Sequence, residues 1–462
     1  MFPFVLSLLF LASHVHAFHT IHTNCTLPPP GTNFVTAPNT RGTLQILWSC
    51  LFTILACTWT VLHLNVPGYV PQPEKKHVRE WLKWAVHKYQ HPINWFLLTV
   101  VAPEVSFTKY WDDQVRGRSL FYHYEDDLKE RGWTKTHLLF ANMGGFALRP
   151  RDPGASDSNQ TETSTVKQND SQPGTATPAG NVLADPASKF ENIFHLTATD
   201  VLKLLPRDEA SETLSIPELW NVSVEEINDR SKTDILMRLL AVGQIVWVVI
   251  QILSRWVYGL AVTQLEVTVV AFAVCAVGMY IVNRGKPTGV KVPILFDYPG
   301  TKDDREIVRR LRSAIQLTSM IQIVRIMLHS DEQPGDPLGN GFIEDAGDDF
   351  TDMSMFVGSM VFGGIHLAAW DFEFPTAVEK HLWWAAALWC TVCVLACTLL
   401  SAVFSAVLLI VLMTLGLILL WVFILAYVVA RLFIVVEMFR TLAFLPTGAY
   451  VATWASDIPN VG

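Results

Sequence analysis

The chain has few charged residues for its length. Asp, Glu, Lys and Arg make up 16% of its 462 residues, against about 25% in an ordinary soluble domain. None of the four occurs in the 49 residues from Leu382 to Ala430. Since about 20 apolar residues cross a bilayer as a helix, this run is long enough for two crossings. It predicts a multi-pass integral membrane protein with the lipid bilayer as its main partner.

Other absences exclude several classes of function. The sequence contains no P-loop, serine-hydrolase elbow, zinc-protease motif or dinucleotide-binding fingerprint, so phosphoryl transfer, dinucleotide redox chemistry and the familiar hydrolases lack support. No basic stripe is present and the net charge is -8, which argues against a nucleic-acid partner. Cys390, Cys393 and Cys397 share a helical face but have no evident fourth ligand, so we expect no metal and no cofactor.

The cysteines and the N-terminal residues bear on processing. Only Cys25 of the seven cysteines lies outside apolar segments, so we expect no disulfide framework. Residues 1–17 form an apolar run that ends in a small residue and predict a signal peptide, with an uncleaved first helix as the alternative. Residues 18–42 would follow as a short luminal segment, in which Asn24 is a glycosylation acceptor. The expected location is the endomembrane system, with the endoplasmic reticulum as the default.

The remaining sequence predicts an all-α, polytopic transmembrane helix bundle of six or seven spans with interfacial amphipathic helices. Residues 43–148 hold the first span, a basic amphipathic helix and a re-entrant or second span. The later segments are a disordered polar tract at 149–190, a soluble helical segment at 191–233, a bundle at 234–446 that includes an amphipathic loop at 284–352, and a C-terminal tail at 447–462.

The segment from Ile93 to Trp111 decides the predicted topology. Its apolar run is interrupted at Pro103, which fits either a kinked span or a re-entrant element. If it does not cross, residues 112–233 and the basic segment 284–328 both lie in the cytoplasm, which the positive-inside rule prefers. Six spans plus one re-entrant element are therefore favoured over seven spans.

Ionisable groups in or beside the apolar segments are candidates for function, because burying them in a bilayer is costly. Glu104 follows the Pro103 interruption, Asp112 and Asp113 follow the same segment, and Asp371 ends a later predicted span. A solvated helix end is the alternative interpretation for Asp371.

Glu437 is a weaker candidate. It lies between Arg431 and Arg440 on one predicted helix, an arrangement typical of a structural ion-pair network.

Sixteen tryptophans are present. Most fit interface anchors, and Trp95, Trp111, Trp247 and Trp370 are the candidates to line a pocket. An aromatic-lined cavity that holds one protonated carboxylic acid has the groups needed to start a carbocation cascade, because ring faces stabilise a migrating cation.

Several segments occur together in an order that resembles a known group of proteins. They are Thr40 to Thr43 followed by LQILWSCLFTILACTWTVLHLNVP, Ala102-Pro103-Glu104, Thr136-His137, Ala141 to Phe146, LEVTVVAFAVCAVGMYIVNRGKP at 265–287, and VVARLFIVVEMFRTLAFLP at 428–446. In these segments the chain resembles a large group of filamentous-fungal multi-pass membrane proteins. Some integral-membrane terpene cyclases of fungal meroterpenoid clusters look similar to this group.

The resemblance implies an enzyme of secondary metabolite biosynthesis. The reaction would be a metal-independent, protonation-initiated cyclisation of a prenylated small molecule that enters from the bilayer. The catalytic acid would be sought among Glu104, Asp112, Asp113 and Asp371, and should be a carboxyl group buried away from Arg and Lys. The alternative is a non-enzymatic transporter or sensor, which predicts paired charges.

Overall fold

The structure, a computed structural model, describes residues 39–67, 78–150, 193–205, 216–231, 235–298, 349–405 and 410–453. The predicted signal peptide, Asn24, nearly all of the polar tract and most of the amphipathic loop lie outside these residues. The described helices are α1 (Thr43–Thr60), α2 (Val78–Val101), α3 (Pro103–His123), α4 (Glu125–Glu130), α5 (Lys135–Asn142), α6 (Ala198–Lys203), α7 (Pro217–Trp220), α8 (Val224–Arg230), α9 (Ile235–Val257), α10 (Gln264–Val282), α11 (Asp349–His366), α12 (Ala377–Ser405) and α13 (Ile410–Arg440).

Five of these helices are long and apolar enough to cross a membrane: α1, α9, α10, α12 and α13. A shorter apolar stretch, Met353–Ala369, lies mostly in α11, which packs against α3, α10 and α12. The predicted mostly helical, multi-pass architecture is therefore confirmed. Among the described residues it has five such helices and a shorter one, where six or seven spans were predicted.

Small residues set the spacing of helices inside the bundle. A Cβ atom added to Gly363 of α11 would lie 2.6 Å from the backbone nitrogen of Thr391 in α12, so only glycine allows this approach. Beside it, the Ser359 hydroxyl donates a hydrogen bond of 2.6 Å to the Cys390 carbonyl oxygen. Inside a bilayer the lipid tails are as apolar as the side chains, so the hydrophobic effect does not drive helices together. They associate instead through close packing and hydrogen bonds of this kind.

The first and last described residues of the bundle lie at the same end of it. We call this end the terminal end (residues 39–42, 258–263, 367–376 and 441–453). Thr40 pairs with Val451 in an isolated antiparallel bridge. The buried Arg255 guanidinium donates to the carbonyl oxygens of Gly448, Ala449 and Val451. These bonds give the buried guanidinium group acceptors and tie the end of α9 to the segment after α13.

A small extramembrane module covers the opposite end, which we call the module end. Its three-stranded sheet has the order β2 (Phe194–Leu196), β1 (Phe146–Pro150), β3 (Ile294–Tyr298), with β2 antiparallel and β3 parallel to β1. Trp133 and Trp220 pack beneath it with ring centroids 4.7 Å apart.

The sheet adds strands to two predicted helical regions and bears on the predicted topology. The described residues are mostly helical, in line with the all-α prediction, and the three short strands are an addition that it did not include, because each has at most five residues and pairs with a distant partner. The segment 191–233, predicted to be helical, contributes β2 as well as α6, α7 and α8. Strand β1 lies in the segment 112–233 and β3 lies in the segment 284–328, and the two strands pair directly. The favoured topology placed these two segments on the same side of the membrane.

Candidate functional site

Helices α2 and α3 form a helical hairpin that packs against the bundle, and neither is among the five helices long and apolar enough to cross a membrane. The chain breaks at Ala102 (φ -142°, ψ 73°), and Pro103 begins α3. Ala102 and Val105 pack deep in the bundle against Met355 of α11 and Val394 of α12. The other end of α3 packs against α5 of the module. The hairpin thus places the start of a helix inside the membrane bundle, where its first N–H groups lack helical partners.

A fully buried ion pair lies at this helix start. The Arg431 guanidinium of α13 donates to Glu104 Oε1 at 2.7 Å and to the Tyr427 hydroxyl at 2.8 Å. It also lies 4.2 Å from the ring centroid of Phe362, whose ring is 4.9 Å from that of His366. We call Glu104, Phe362, His366, Tyr427 and Arg431 the mid-bundle site.

Two acceptors of the mid-bundle site receive no hydrogen bond from the part of the chain that the structure describes. Glu104 is 1% exposed and His366 is 0% exposed. Glu104 Oε2 and His366 Nε2 have no hydrogen-bond partner among the described residues. His366 Nδ1 lies 2.8 Å from the Phe362 carbonyl oxygen, so in a neutral ring Nδ1 carries the hydrogen and Nε2 is an acceptor. Buried acceptors without donors are costly.

A second polar group lies where the bundle meets the module, and we call it the junction cluster: His63, Lys109, Asp113, Arg238 and Lys286. Asp113 Oδ2 accepts from Lys109 Nζ at 2.8 Å and from Lys286 Nζ at 2.5 Å. Burial alone would raise the pKa of Asp113, but the two ammonium groups outweigh it and lower the pKa to about 2. Burial, reinforced by the charge of Lys109 and opposed by Asp113, lowers the pKa of Lys286 to about 8.

The predicted candidate acids have different surroundings. Glu104 pairs with Arg431, Asp112 pairs with Arg116 at 2.8 Å, and Asp113 pairs with two lysines. Asp371 is exposed at the terminal end, just beyond α11. None of the four is a buried carboxyl group away from Arg and Lys, although a catalytic role for any of them stays a prediction.

The four predicted pocket tryptophans are dispersed. Trp95 is buried in α2, whereas Trp111 is partly exposed on α3 beside Phe107. Trp247 is half-buried in α9, and its Nε1 has no partner among the described residues. Trp370 stacks on Trp384 at the terminal end, with ring centroids 4.3 Å apart. The aromatic side chains that surround the mid-bundle ion pair are instead Phe362 and Tyr427.

The interpretation of Glu437 as the centre of an ion-pair network with its two neighbouring arginines was wrong. Arg431 pairs with Glu104, and Arg440 pairs with Glu379 at the start of α12. Glu437 is 2% exposed, and within the described part of the chain its Oε1 accepts no hydrogen bond. Helical spacing brings these residues near one another on α13, but contacts with other helices decide the pairing.

Sequence reasoning did not single out His366, His63 or Lys286. Arg431 was visible as a charge after a long uncharged run, but nothing local identifies Glu104 as its partner 327 positions away. His366 lies at the end of an apolar segment, and that position is the only sequence signal that it is buried.

These features are those of a multi-pass membrane protein with a helical hairpin interrupted at Pro103 and a small module that contains a three-stranded sheet. The chain belongs to a family of unknown function, DUF8562, whose profile matches residues 11–353. No curated protein and no solved structure matches the chain.

Proposed function

We propose that the protein is a non-enzymatic membrane transporter or sensor that binds a neutral, hydroxyl-bearing, membrane-soluble molecule at the mid-bundle site. The observation that carries this proposal is the pair of buried acceptors, Glu104 Oε2 and His366 Nε2, without donors among the described residues. Ligand hydroxyl or N–H groups, one for each acceptor, would supply the missing hydrogen bonds and remove their desolvation cost.

The charge of the site supports a neutral ligand. Glu104 and Arg431 compensate each other at 2.7 Å, so a charged ligand would bring an uncompensated charge into the bundle. The helical hairpin supports a binding role, because irregular backbone at membrane depth occurs where it is enclosed by protein or lines a cavity. Broken helices of this kind form the substrate sites of many transporters.

The pairing of Glu104 also argues against its use as a proton donor to an olefin. Such an acid needs a carboxyl group without a cationic partner, and Glu104 accepts from a guanidinium. A prenylated phenol is neutral and apolar, and its one hydroxyl could donate to one of the two acceptors, so a second O–H or N–H group on the ligand would serve the other.

The test is the small-molecule content of the purified protein. Wild type and a His366→Phe variant, which lacks the Nε2 acceptor, are purified from the same membranes, extracted with organic solvent and analysed by mass spectrometry. We expect a hydroxyl-bearing compound to be retained by wild type and reduced in His366→Phe. Gly364→Ala is the control, because a Cβ atom there meets nothing within 4 Å. Equal content in all three proteins would contradict the proposal.

One observation favours the terpene cyclase as a second candidate. Glu437 is buried, and the described residues offer it no ion-pair partner, since Arg440 is engaged by Glu379. It therefore meets the requirement for a protonating acid better than the four predicted carboxylates.

The cyclase candidate is tested by feeding a farnesylated phenol and its epoxide to a yeast host that expresses the protein. A product that is isomeric with its substrate, carries a new ring and disappears in Glu437→Gln would establish the cyclase and its acid. Glu130→Gln, at an exposed position in α4, is the matched control. Unchanged substrate with well-inserted protein would count against the candidate.

A further inference from the structure

The junction cluster contains more positive than negative charge. Lys109, Lys286 and Arg238 are three cations, and Asp113 is the one carboxylate that pairs with them among the described residues. Lys109 and Lys286 are 1% and 6% exposed. The neighbouring Asp112 pairs with Arg116 at 2.8 Å. Among the residues that the structure describes, two positive charges of the cluster thus have no carboxylate partner in a largely buried environment, where an unpaired charge is expensive.

The three cations surround His63 and Tyr110. Arg238 Nη2 donates to His63 Nε2 at 3.2 Å. The His63 and Tyr110 rings are 5.8 Å apart, and the ammonium groups of Lys109 and Lys286 lie 5.8 Å and 5.6 Å from the Tyr110 ring. Arg238 also approaches the Thr288 hydroxyl, two residues beyond Lys286, at 3.4 Å. The cations therefore converge on one region between the bundle and the module.

The protonation state of His63 follows from burial and from the same convergence. Burial lowers its pKa to about 3, opposed by a hydrogen bond to the Val61 carbonyl and reinforced by the charges of Lys286, Arg238 and Lys109. His63 Nδ1 lies 2.8 Å from Val61 O, so Nδ1 donates and Nε2 accepts from Arg238. A neutral His63 adds no charge to the cluster, and the excess of two remains.

We infer that the junction cluster binds a phosphate group. A phosphate dianion matches the charge excess, Lys is a common point-charge ligand of phosphate, and Arg provides a forked donor. The phosphate belongs either to a free anion or to a lipid headgroup, since the cluster lies at the end of the bundle.

The test uses the full-length protein in phosphatidylcholine nanodiscs. Its melting temperature is followed as inorganic phosphate is added, against sodium chloride of equal ionic strength. We expect a saturable rise with phosphate only, because a ligand that binds the folded state stabilises it by mass action. The same measurement is made in nanodiscs that contain phosphatidic acid. A melting temperature that is already higher there than in phosphatidylcholine, and that does not rise further with phosphate, would identify the lipid headgroup as the source of the phosphate group. A wild type that responds equally to phosphate and chloride, and not to phosphatidic acid, would overturn the inference.

Variants locate the site. Lys286→Met and Arg238→Gln should each weaken the apparent phosphate affinity about tenfold or more, the expected loss of one charge-assisted hydrogen bond. Lys291→Met removes an exposed lysine nearby and should leave the affinity unchanged. Since Arg238 is only partly buried, its variant remains informative if Lys286→Met does not fold. An unchanged affinity in Arg238→Gln, or an equal loss in Lys291→Met, would contradict the assignment.

Discussion

The ion pair between Glu104 and Arg431 should be strongly coupled. The two side chains are 1% and 3% exposed and their charged atoms lie 2.7 Å apart, so loss of one partner leaves the other charge buried. We expect Arg431→Met to lower the free energy of unfolding by about 3–5 kcal/mol. Glu104→Met should cost a similar amount. The double variant should cost much less than the sum of the two, because an apolar pair leaves no buried charge behind.

A double-mutant cycle measures this coupling. Unfolding of the four proteins in mixed micelles is followed by fluorescence as a denaturing detergent is added. Since the two single costs add to about 6–10 kcal/mol and the double variant should cost much less, the cycle should give a coupling energy of about 3 kcal/mol or more. The exposed Glu130→Gln variant should change the free energy of unfolding by less than about 0.5 kcal/mol. Single variants whose costs simply add would refute a direct, buried pair.

Three further predictions concern packing, the module and pH. Gly363→Ala should lower the free energy of unfolding by about 1–3 kcal/mol, because its Cβ would lie 2.6 Å from the Thr391 backbone nitrogen. In the same assay Gly364→Ala should be nearly neutral, because a Cβ atom at that position meets nothing within 4 Å. Trp133→Ala should lower the free energy of unfolding by about 3–5 kcal/mol, since this side chain is 2% exposed and its ring centroid lies 4.8 Å from that of His137. Limited proteolysis should then cleave the module of the variant faster than that of wild type. Equal cleavage rates would contradict this packing. The folded-state pKa of Lys286 is about 8, below its ordinary value of 10.5. Between these pH values unfolding therefore takes up a proton, and the free energy of unfolding should rise with pH across this window. Lys286→Met should show a smaller rise when both proteins are measured in phosphate-free buffer, and parallel pH profiles would contradict the shift.

Part of the architecture could be predicted from the sequence because its signals are local. The uncharged run from Leu382 to Ala430 corresponds to most of α12 and α13. The interruption at Pro103 marks the break between α2 and α3, since proline favours the first turn of a helix and disfavours its interior. The sheet was not predictable in the same way, because β1 pairs with β3 across about 150 residues.

The sites were predictable only in part, for a related reason. Burial of Glu104, Asp112 and Asp113 follows from their place beside an apolar segment, and all three are buried. Their partners depend on tertiary structure: Arg431 comes from the last long helix and Lys286 from the segment after α10. Glu437 shows the converse, since its sequence neighbours Arg431 and Arg440 pair with residues on other helices.

The most direct test of the proposed function is to incubate the wild-type protein in nanodiscs with a farnesylated phenol and to analyse both the bound and the released compounds by mass spectrometry and NMR. The proposal predicts that the compound is retained unchanged and that His366→Phe retains less of it. A released isomer with a new ring, formed by wild type, would contradict the binding role and establish a cyclase.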